Sequence, residues 1–441
     1  MRMPFDNFSV LHSSLYPLRM KTTPTVSVDR VLRPRWLRSI LVGLALASLS
    51  SSGCVAAPVA RSGWVGTWAT SPMIENKDAN TPTFADATLR QTVRVSTGGK
   101  TVRLRISNAF GRTGLVLASA EIALPSDGSA ISAAPVVALQ FDGQPGVTVP
   151  AGAVMLSDPL EFSLPALADV AVTLRFKEVP EIITGHPGAR ATSWWQKTAD
   201  ATPSNWAQAT QVTRWYFITG IDVKIDPEPR AVVLLGDSIT DGYGVKPGAH
   251  QRWTDAFSRR LRADPATADI GVLNQGIGGN RFLRDGNGPN ILARFERDVL
   301  AQTGVRWLVV FSGINDIGTR LDARKKGEPF ASAAEIIGAC EQIIARAHTA
   351  GIKVFGATVT PYAGADFYWS EDGEADRQTV NRWIRERGHF DAVIDFDAAL
   401  RDPKDPSRLV ASFDSGDHLH PSMTGYAEMA RVVDLGLFSR P

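Results

Sequence analysis

Between Gly63 and about Asp226, apolar and polar residues alternate in short runs, the period of a strand with one buried face. The segment TLRQTVRVSTGGKTVRLRISNAF holds two such runs around Gly98-Gly99. Val93, Val95, Val102, Leu104 and Ile106 fall on one face and Arg94, Arg103 and Arg105 on the other, which predicts a β-hairpin. Further strand-like runs are VVALQF, VTVPAG, DVAVTLRF and RWYFITGIDVKI, punctuated by PSDGS, DGQPG and GHPGA. Many short strands without a long helical period predict an all-β sandwich, jelly-roll-like, over residues 63–226. Trp64, Trp68, Trp194, Trp195, Trp206 and Trp215 fall in this region. The large area a Trp buries favours core filling over a sugar-binding platform.

DPEPR, residues 226–230, ends this pattern, with the linker at 227–230. From 231 to 441 apolar runs alternate with longer helical stretches: AVVLLG, GVLNQ, VRWLVVF, IKVFGATV and AVIDF. Within ASAAEIIGACEQIIARAHTAG, Ile336, Ile337, Cys340, Ile343, Ile344 and Ala347 form an apolar stripe at helical spacing. Strand–helix alternation predicts a parallel sheet with helices on both faces, and ligands then bind beyond the carboxyl ends of the strands.

Charge separates the leader from the rest. The 441 residues carry a formal net charge of +2, but residues 1–60 hold seven Lys or Arg against two Asp, which leaves 40 bases and 43 acids after them. Bulk charge therefore offers nothing to a nucleic-acid partner. Arg33, Arg35 and Arg38 precede the apolar run ILVGLALASL, and small residues follow. That order is a secretory signal, and the run is too short to span a bilayer. The expectation is a secreted or periplasmic protein with no stable membrane insertion after cleavage. The alternative is a lipid anchor at Cys54, which follows Ser-Gly. Two cysteines form no disulfide framework or zinc spacing, and Cys340 reads as a small core residue.

The candidate chemistry lies at predicted strand ends. Ser238 stands in GDSITDGYG directly after AVVLL, on a strand-to-helix turn; the plain alternative is a helix cap at Asp237 or Ser238. NQGIGGNR, residues 274–281, follows the second strand, and its glycines let a backbone amide approach a ligand. Asn315, in SGINDIG after the third, offers a neutral donor, or else an Asx-turn. Near the end, in DHLHP, Asp417 and His420 are spaced so that the carboxylate can hold one imidazole nitrogen while the other faces the serine. Pro421 then suits the first turn of a helix, and His418 takes a secondary place. Two His and an Asp could instead ligate a metal, but no matching cluster follows the earlier strands.

With GDSITDG, NQGIGGN, GINDIG and DHLHP in order, residues 231–435 resemble the SGNH/GDSL hydrolases, and the chain as a whole an arylesterase-like branch with an N-terminal β-domain. The resemblance implies a flavodoxin-like three-layer α/β/α domain. It implies a Ser238–His420–Asp417 triad, an oxyanion hole from Ser238, Gly279 and Asn315, and no metal or organic cofactor. It implies a serine esterase acting on carboxylic esters with short acyl groups, acetyl esters of carbohydrates or aryl esters, free or polysaccharide-linked. The alternatives are a lipase, lysophospholipase or thioesterase on the same site and, more remotely, a non-catalytic carbohydrate-binding protein.

Overall fold

In the computed structural model, which describes residues 63–439 apart from 79–80, 127, 198–205 and 226–227, the C-terminal half is built on five parallel strands. These are β1 (Arg230–Gly236), β2 (Ile270–Gly276), β3 (Val305–Phe311), β4 (Lys353–Ala357) and β5 (Ala392–Ile394), in the order β2-β1-β3-β4-β5. The order reverses between β1 and β3, where an open sheet leaves a crevice beyond its carboxyl ends. Register brings the ends level there: Gly236 pairs with Gly276 on one side and Phe311 on the other. Past Arg230 and Arg306 at their starts, the central strands β1 and β3 are apolar because both faces are covered. Val233, Leu235, Leu308 and Val310 point to one face, packed with helix Ala333–Thr349 through Ile336, Cys340 and Ile343. Val232, Leu234, Trp307 and Val309 point to the other, packed with helices Trp253–Ala263 and Met423–Val432. This is the predicted three-layer arrangement.

The N-terminal half is all β. Strands Trp64–Ala69, Ile218–Lys224, Gly99–Ser107, Val154–Leu156 and Leu160–Leu164 form one sheet. A seven-stranded sheet has Thr88–Arg94, Asp169–Glu178 and Leu115–Pro125 at its centre, and a small third sheet joins Met73–Ile74, Thr184–His186 and Trp215–Tyr216. The expected hairpin around Gly98-Gly99 does not form. Thr88–Arg94 and Gly99–Ser107 lie in different sheets. Thr67 fastens the crossing between them: its hydroxyl donates to Thr97 O at 2.6 Å and accepts from Thr97 N at 2.9 Å. The alternation survives because Val93, Val95, Val102, Leu104 and Ile106 all face one core, now from two sheets. RWYFITGIDVKI is likewise split, at Phe217, whose φ of 60° breaks the strand. Trp68, Trp206 and Trp215 are buried, as core filling requires, whereas Trp64, Trp194 and Trp195 are half-buried.

The two halves share that core, which runs from Val65 through Leu174 to Leu273, Leu308 and Leu419. Strand Trp64–Ala69 lies against β2 so closely that a Cβ at Gly66 would stand 3.0 Å from the Leu273 methyls. Cys340 is buried in the same core, which pushes its thiol up to about 12. The expected leader, with Cys54, lies outside the described residues. Among the described residues no helix is long and apolar enough to cross a membrane.

Candidate active site

Ser238, Gly279 and Asn315 each stand just past the end of a strand, whereas Asp417 and His420 lie in the irregular stretch between helices Phe396–Leu400 and Met423–Val432. After β1 the chain turns at Asp237 into the short helix Ser238–Asp241, with Asp237 Oδ1 accepting from Ile239 N at 3.1 Å. The capping reading therefore applies to Asp237, which leaves the Ser238 hydroxyl free of that role. Ser238 is buried but for 7% of its surface, and its Oγ lies 2.8 Å from His420 Nε2. His420 Nδ1 lies 2.7 Å from Asp417 Oδ2. Asp417 Oδ1 accepts from the backbone N–H of His420 at 2.8 Å and of Leu419 at 3.0 Å. Those bonds outweigh partial burial and hold the Asp417 carboxyl down at about 2. Burial pushes His420 below the ordinary imidazole value, Asp417 opposes this, and the Arg190 charge adds to it.

His418 points elsewhere: its Nδ1 is 2.5 Å from Asp414 Oδ2, and its φ of 62° turns it away from its neighbour. The two histidines therefore do not converge as metal ligands would. The helix expected at Pro421 begins two residues later, at Met423, because Ser422 caps it by accepting from Gly425 N at 3.2 Å.

Gly279 follows β2 with a φ of 72°, a conformation that L side chains rarely adopt. Asn315 opens helix Ile314–Gly318 after β3 and is buried. One hydrogen of its amide goes to Asn280 O at 3.0 Å, which leaves the second for a ligand. The amide orientation is set by the Tyr368 hydroxyl, which donates to Asn315 Oδ1 at 2.9 Å.

Further residues support the site, some within the four blocks and some outside them. The Tyr243 ring stacks on His420 with centroids 3.9 Å apart. Arg294 is fully buried and joins three parts of the site: its guanidinium donates to Gly236 O at 2.9 Å, to Gln275 O at 2.8 Å and to Asn280 Oδ1 at 3.0 Å, with Asp298 as counter-ion at 2.9 Å. A sequence signal existed for it, since Arg294 falls between Ile291 and Phe295 on an apolar helical face. Asp241 accepts from the N-terminal half, its Oδ1 lying 3.0 Å from His186 Nε2. Asp237 and Asp316 are buried carboxyls pushed up by desolvation, to about 7 and about 6. Chemically, the cluster presents a hydroxyl beside an imidazole–carboxylate pair, with amide donors on neighbouring strand ends.

Residues 234–428 match the model of the GDSL-like Lipase/Acylhydrolase family. No curated protein matches the chain. Among solved structures it is similar to an acetyl xylan esterase from Geobacillus stearothermophilus, at 20% identity over 46% of this chain and 93% of that one, with a TM-score of 0.37. It is also similar to a GDSL-like lipase from Bacteroides thetaiotaomicron, at 19% identity over 47% of this chain and 87% of that one, with a TM-score of 0.34.

Proposed function

We propose that this chain, whose residues 234–428 match the model of the GDSL-like Lipase/Acylhydrolase family, is a carboxylic ester hydrolase, and we propose its mechanism and substrate class. The observation that carries the mechanism is the chain of short contacts from Ser238 Oγ through His420 to Asp417. Asp417 accepts only, so His420 Nδ1 carries the proton toward it and Nε2 is left basic. As Oγ attacks an ester carbonyl, Nε2 takes its proton. Oxyanion charge is met by the N–H groups of Ser238 and Gly279 and by the second hydrogen of the Asn315 amide. His420 returns the proton to the leaving alcohol, and water repeats the sequence on the acyl-enzyme. No step of this sequence calls for a metal or an organic cofactor.

The acyl groups we assign are short, acetyl above all. The supporting observation is crowding: the Tyr368 ring packs onto Gly318 and bonds to Asn315, so an aromatic ring fills space beside an oxyanion donor. Secretion, with cleavage after the apolar leader run, belongs to the same reading. Ser238→Ala should abolish turnover and fluorophosphonate labelling while leaving the circular dichroism spectrum unchanged. Activity within tenfold of wild type would sink the triad. A series of 4-nitrophenyl esters should show kcat/KM falling steeply beyond four carbons. A maximum at eight or more would favour the lipase reading on the same machinery.

A further inference from the structure

One short turn carries the nucleophile, and part of its anchorage comes from the N-terminal half. Ser238 opens the four-residue helix Ser238–Asp241, and Asp241 closes it. A single turn has little cohesion of its own, so what holds its far end decides where its first residue sits. The end of β2 presses on that far end, since a Cβ at Gly276 would collide with Asp241 N. Arg252 Nε donates to Asp241 O at 2.8 Å. From the N-terminal half, His186 brings its Nε2 to 3.0 Å from Asp241 Oδ1. The chain that follows depends on the same end: Tyr243 N donates to Ser238 O at 2.9 Å, and the Tyr243 ring stacks on His420. A shift of Asp241 therefore moves the nucleophile and the cover of the base together.

The contacts of His186 fix how many protons it needs. Its Nδ1 lies 2.8 Å from Ser71 O, a carbonyl that can only accept. Its Nε2 faces a carboxylate, which also only accepts. A neutral imidazole carries one N–H, so meeting both acceptors takes one proton more than a neutral ring and a carboxylate hold between them. The imidazole is ordinarily the stronger base of the two, so the ring takes it. Neither partner has room to turn away. Trp215 stacks on the ring with centroids 5.7 Å apart, and a Cβ at Gly188 would collide with Asp241 Oδ2. The two side chains are 4% and 6% exposed, so water does little to replace a lost bond. Without the extra proton a ring lone pair would face an oxygen, which forfeits a buried hydrogen bond and adds repulsion. The charges around the ring are largely committed. Asp241 touches it, and Glu75 is near enough for its charge to interact with it. Arg214 is paired to Glu75, Arg190 lies 3.9 Å from Asp241 Oδ2, Arg252 holds Asp241 O, and Arg294 donates to Ser71 Oγ. Burial pushes the Tyr216 hydroxyl up, so it stays neutral.

We propose that His186, as an imidazolium bridging Ser71 and Asp241, is a positioning residue for Ser238, and that the enzyme loses rate as pH rises because this bridge loses its proton. The bridge is complete on the acid side and fails toward the alkaline side. That is the opposite sense to His420, which must be unprotonated to act. The inference rests on the serine mechanism above, and it gives the N-terminal half a hold on the nucleophile through one ring.

The test uses the full chain, with kcat on 4-nitrophenyl acetate followed from about pH 5 to about pH 9. The expected profile is a bell whose alkaline limb belongs to one proton. Asp241→Asn is the informative change. Its amide can donate to Nε2 while Nδ1–H still goes to Ser71 O, so a neutral ring completes both contacts. The alkaline limb should vanish in this variant, whatever the height of its plateau. His186→Met should lower kcat at the optimum about tenfold, with KM changed by no more than about twofold, and should also lose the limb. A role confined to stability would lower the melting temperature and leave the limb in place. A limb that persists in Asp241→Asn, or that is missing from the unmodified enzyme, overturns the proposal, and this comparison decides alone if His186→Met does not fold. Nitrogen NMR of histidine-labelled protein gives a second reading that needs no activity. Both His186 ring nitrogens should be protonated on the acid side of the limb, in the unmodified chain and in Ser238→Ala alike. A bare His186 nitrogen throughout that range overturns the bridge. Turnover by Ser238→Ala would instead overturn the serine mechanism, and the nitrogen spectra would still decide the imidazolium.

Discussion

The site is tuned through single residues, and His420 shows how. A general base works unprotonated, and burial with the nearby Arg190 charge disfavours its protonated form. A lowered base keeps activity as pH falls below the ordinary histidine value of 6.5. The acidic limb of kcat/KM on 4-nitrophenyl acetate should therefore fall below that value, and Arg190→Met should move it upward. A limb at or above 6.5 in the unmodified enzyme would contradict this. Tyr368 acts on the other donor. Tyr368→Phe removes the hydroxyl that orients the Asn315 amide, so kcat should fall by about three- to tenfold with little change in KM, in keeping with one lost hydrogen bond to a transition-state donor. Asp237 bears on stability. Its carboxyl is lifted to about 7, so the folded state holds its proton more tightly than the unfolded chain does. Its contribution to stability is therefore lost as pH rises from the ordinary carboxyl range through 7. An Asn there can still accept from Ile239 N. The melting temperature of Asp237→Asn minus that of wild type should grow from pH 5 to pH 8.

Elements carry the residues into register, and Arg294 ties the elements. Its guanidinium reaches the last carbonyl of β1, the penultimate carbonyl of β2 and Asn280, whose own carbonyl holds Asn315. Arg294→Met leaves Asp298 buried with Arg297 alone, and breaking such a buried pair costs about 3–5 kcal/mol. Urea unfolding should register that loss in the midpoint, and kcat should drop with it because the donors proposed for the oxyanion lose their common anchor. The elements also explain what the chain discloses before folding. Ser238 and Asn315 stand in short blocks behind apolar strands, so local order alone sets them on one edge of a parallel sheet, whereas Asp417 and His420, in an irregular stretch well past β5, are legible through their mutual spacing. Gly279, behind β2, is legible for the same reason as Ser238. Tyr243 and Tyr368 are not, because their partners come from other elements and no spacing encodes the meeting; Arg294 is marked only as a charged residue on an apolar helical face, without its partners. The hairpin expected around Gly98-Gly99 is misread for a related cause. Alternation tells which residues face a core, and two sheets facing one core produce the same alternation as one folded ribbon.

At the scale of the whole molecule, the β half and the hydrolase half keep separate sheets but share their packing. Val65, Leu273 and Leu308 belong to one apolar cluster, and a Cβ at Gly271 would collide with the carbonyl oxygen of Gly66. His186 reaches Asp241 across the same boundary. A chain beginning near Pro229 would bare the face of β2 that strand Trp64–Ala69 covers, so it should aggregate on gel filtration rather than persist as a folded esterase. A monomeric truncation with native circular dichroism would show that the hydrolase half needs no cover.

The burial of Cys340 turns this shared core into a clock. Its thiol is inert where it lies, raised to about 12 and shut away from solvent, so a disulfide reagent can reach it only through molecules that have opened. In a chain carrying Cys54→Ser, labelling in native buffer would time those openings. If the two halves come apart only together, substitutions in the β half such as Val65→Ala should speed labelling of a cysteine in the hydrolase half as much as they lower the urea midpoint. If labelling ignores them, the halves open separately.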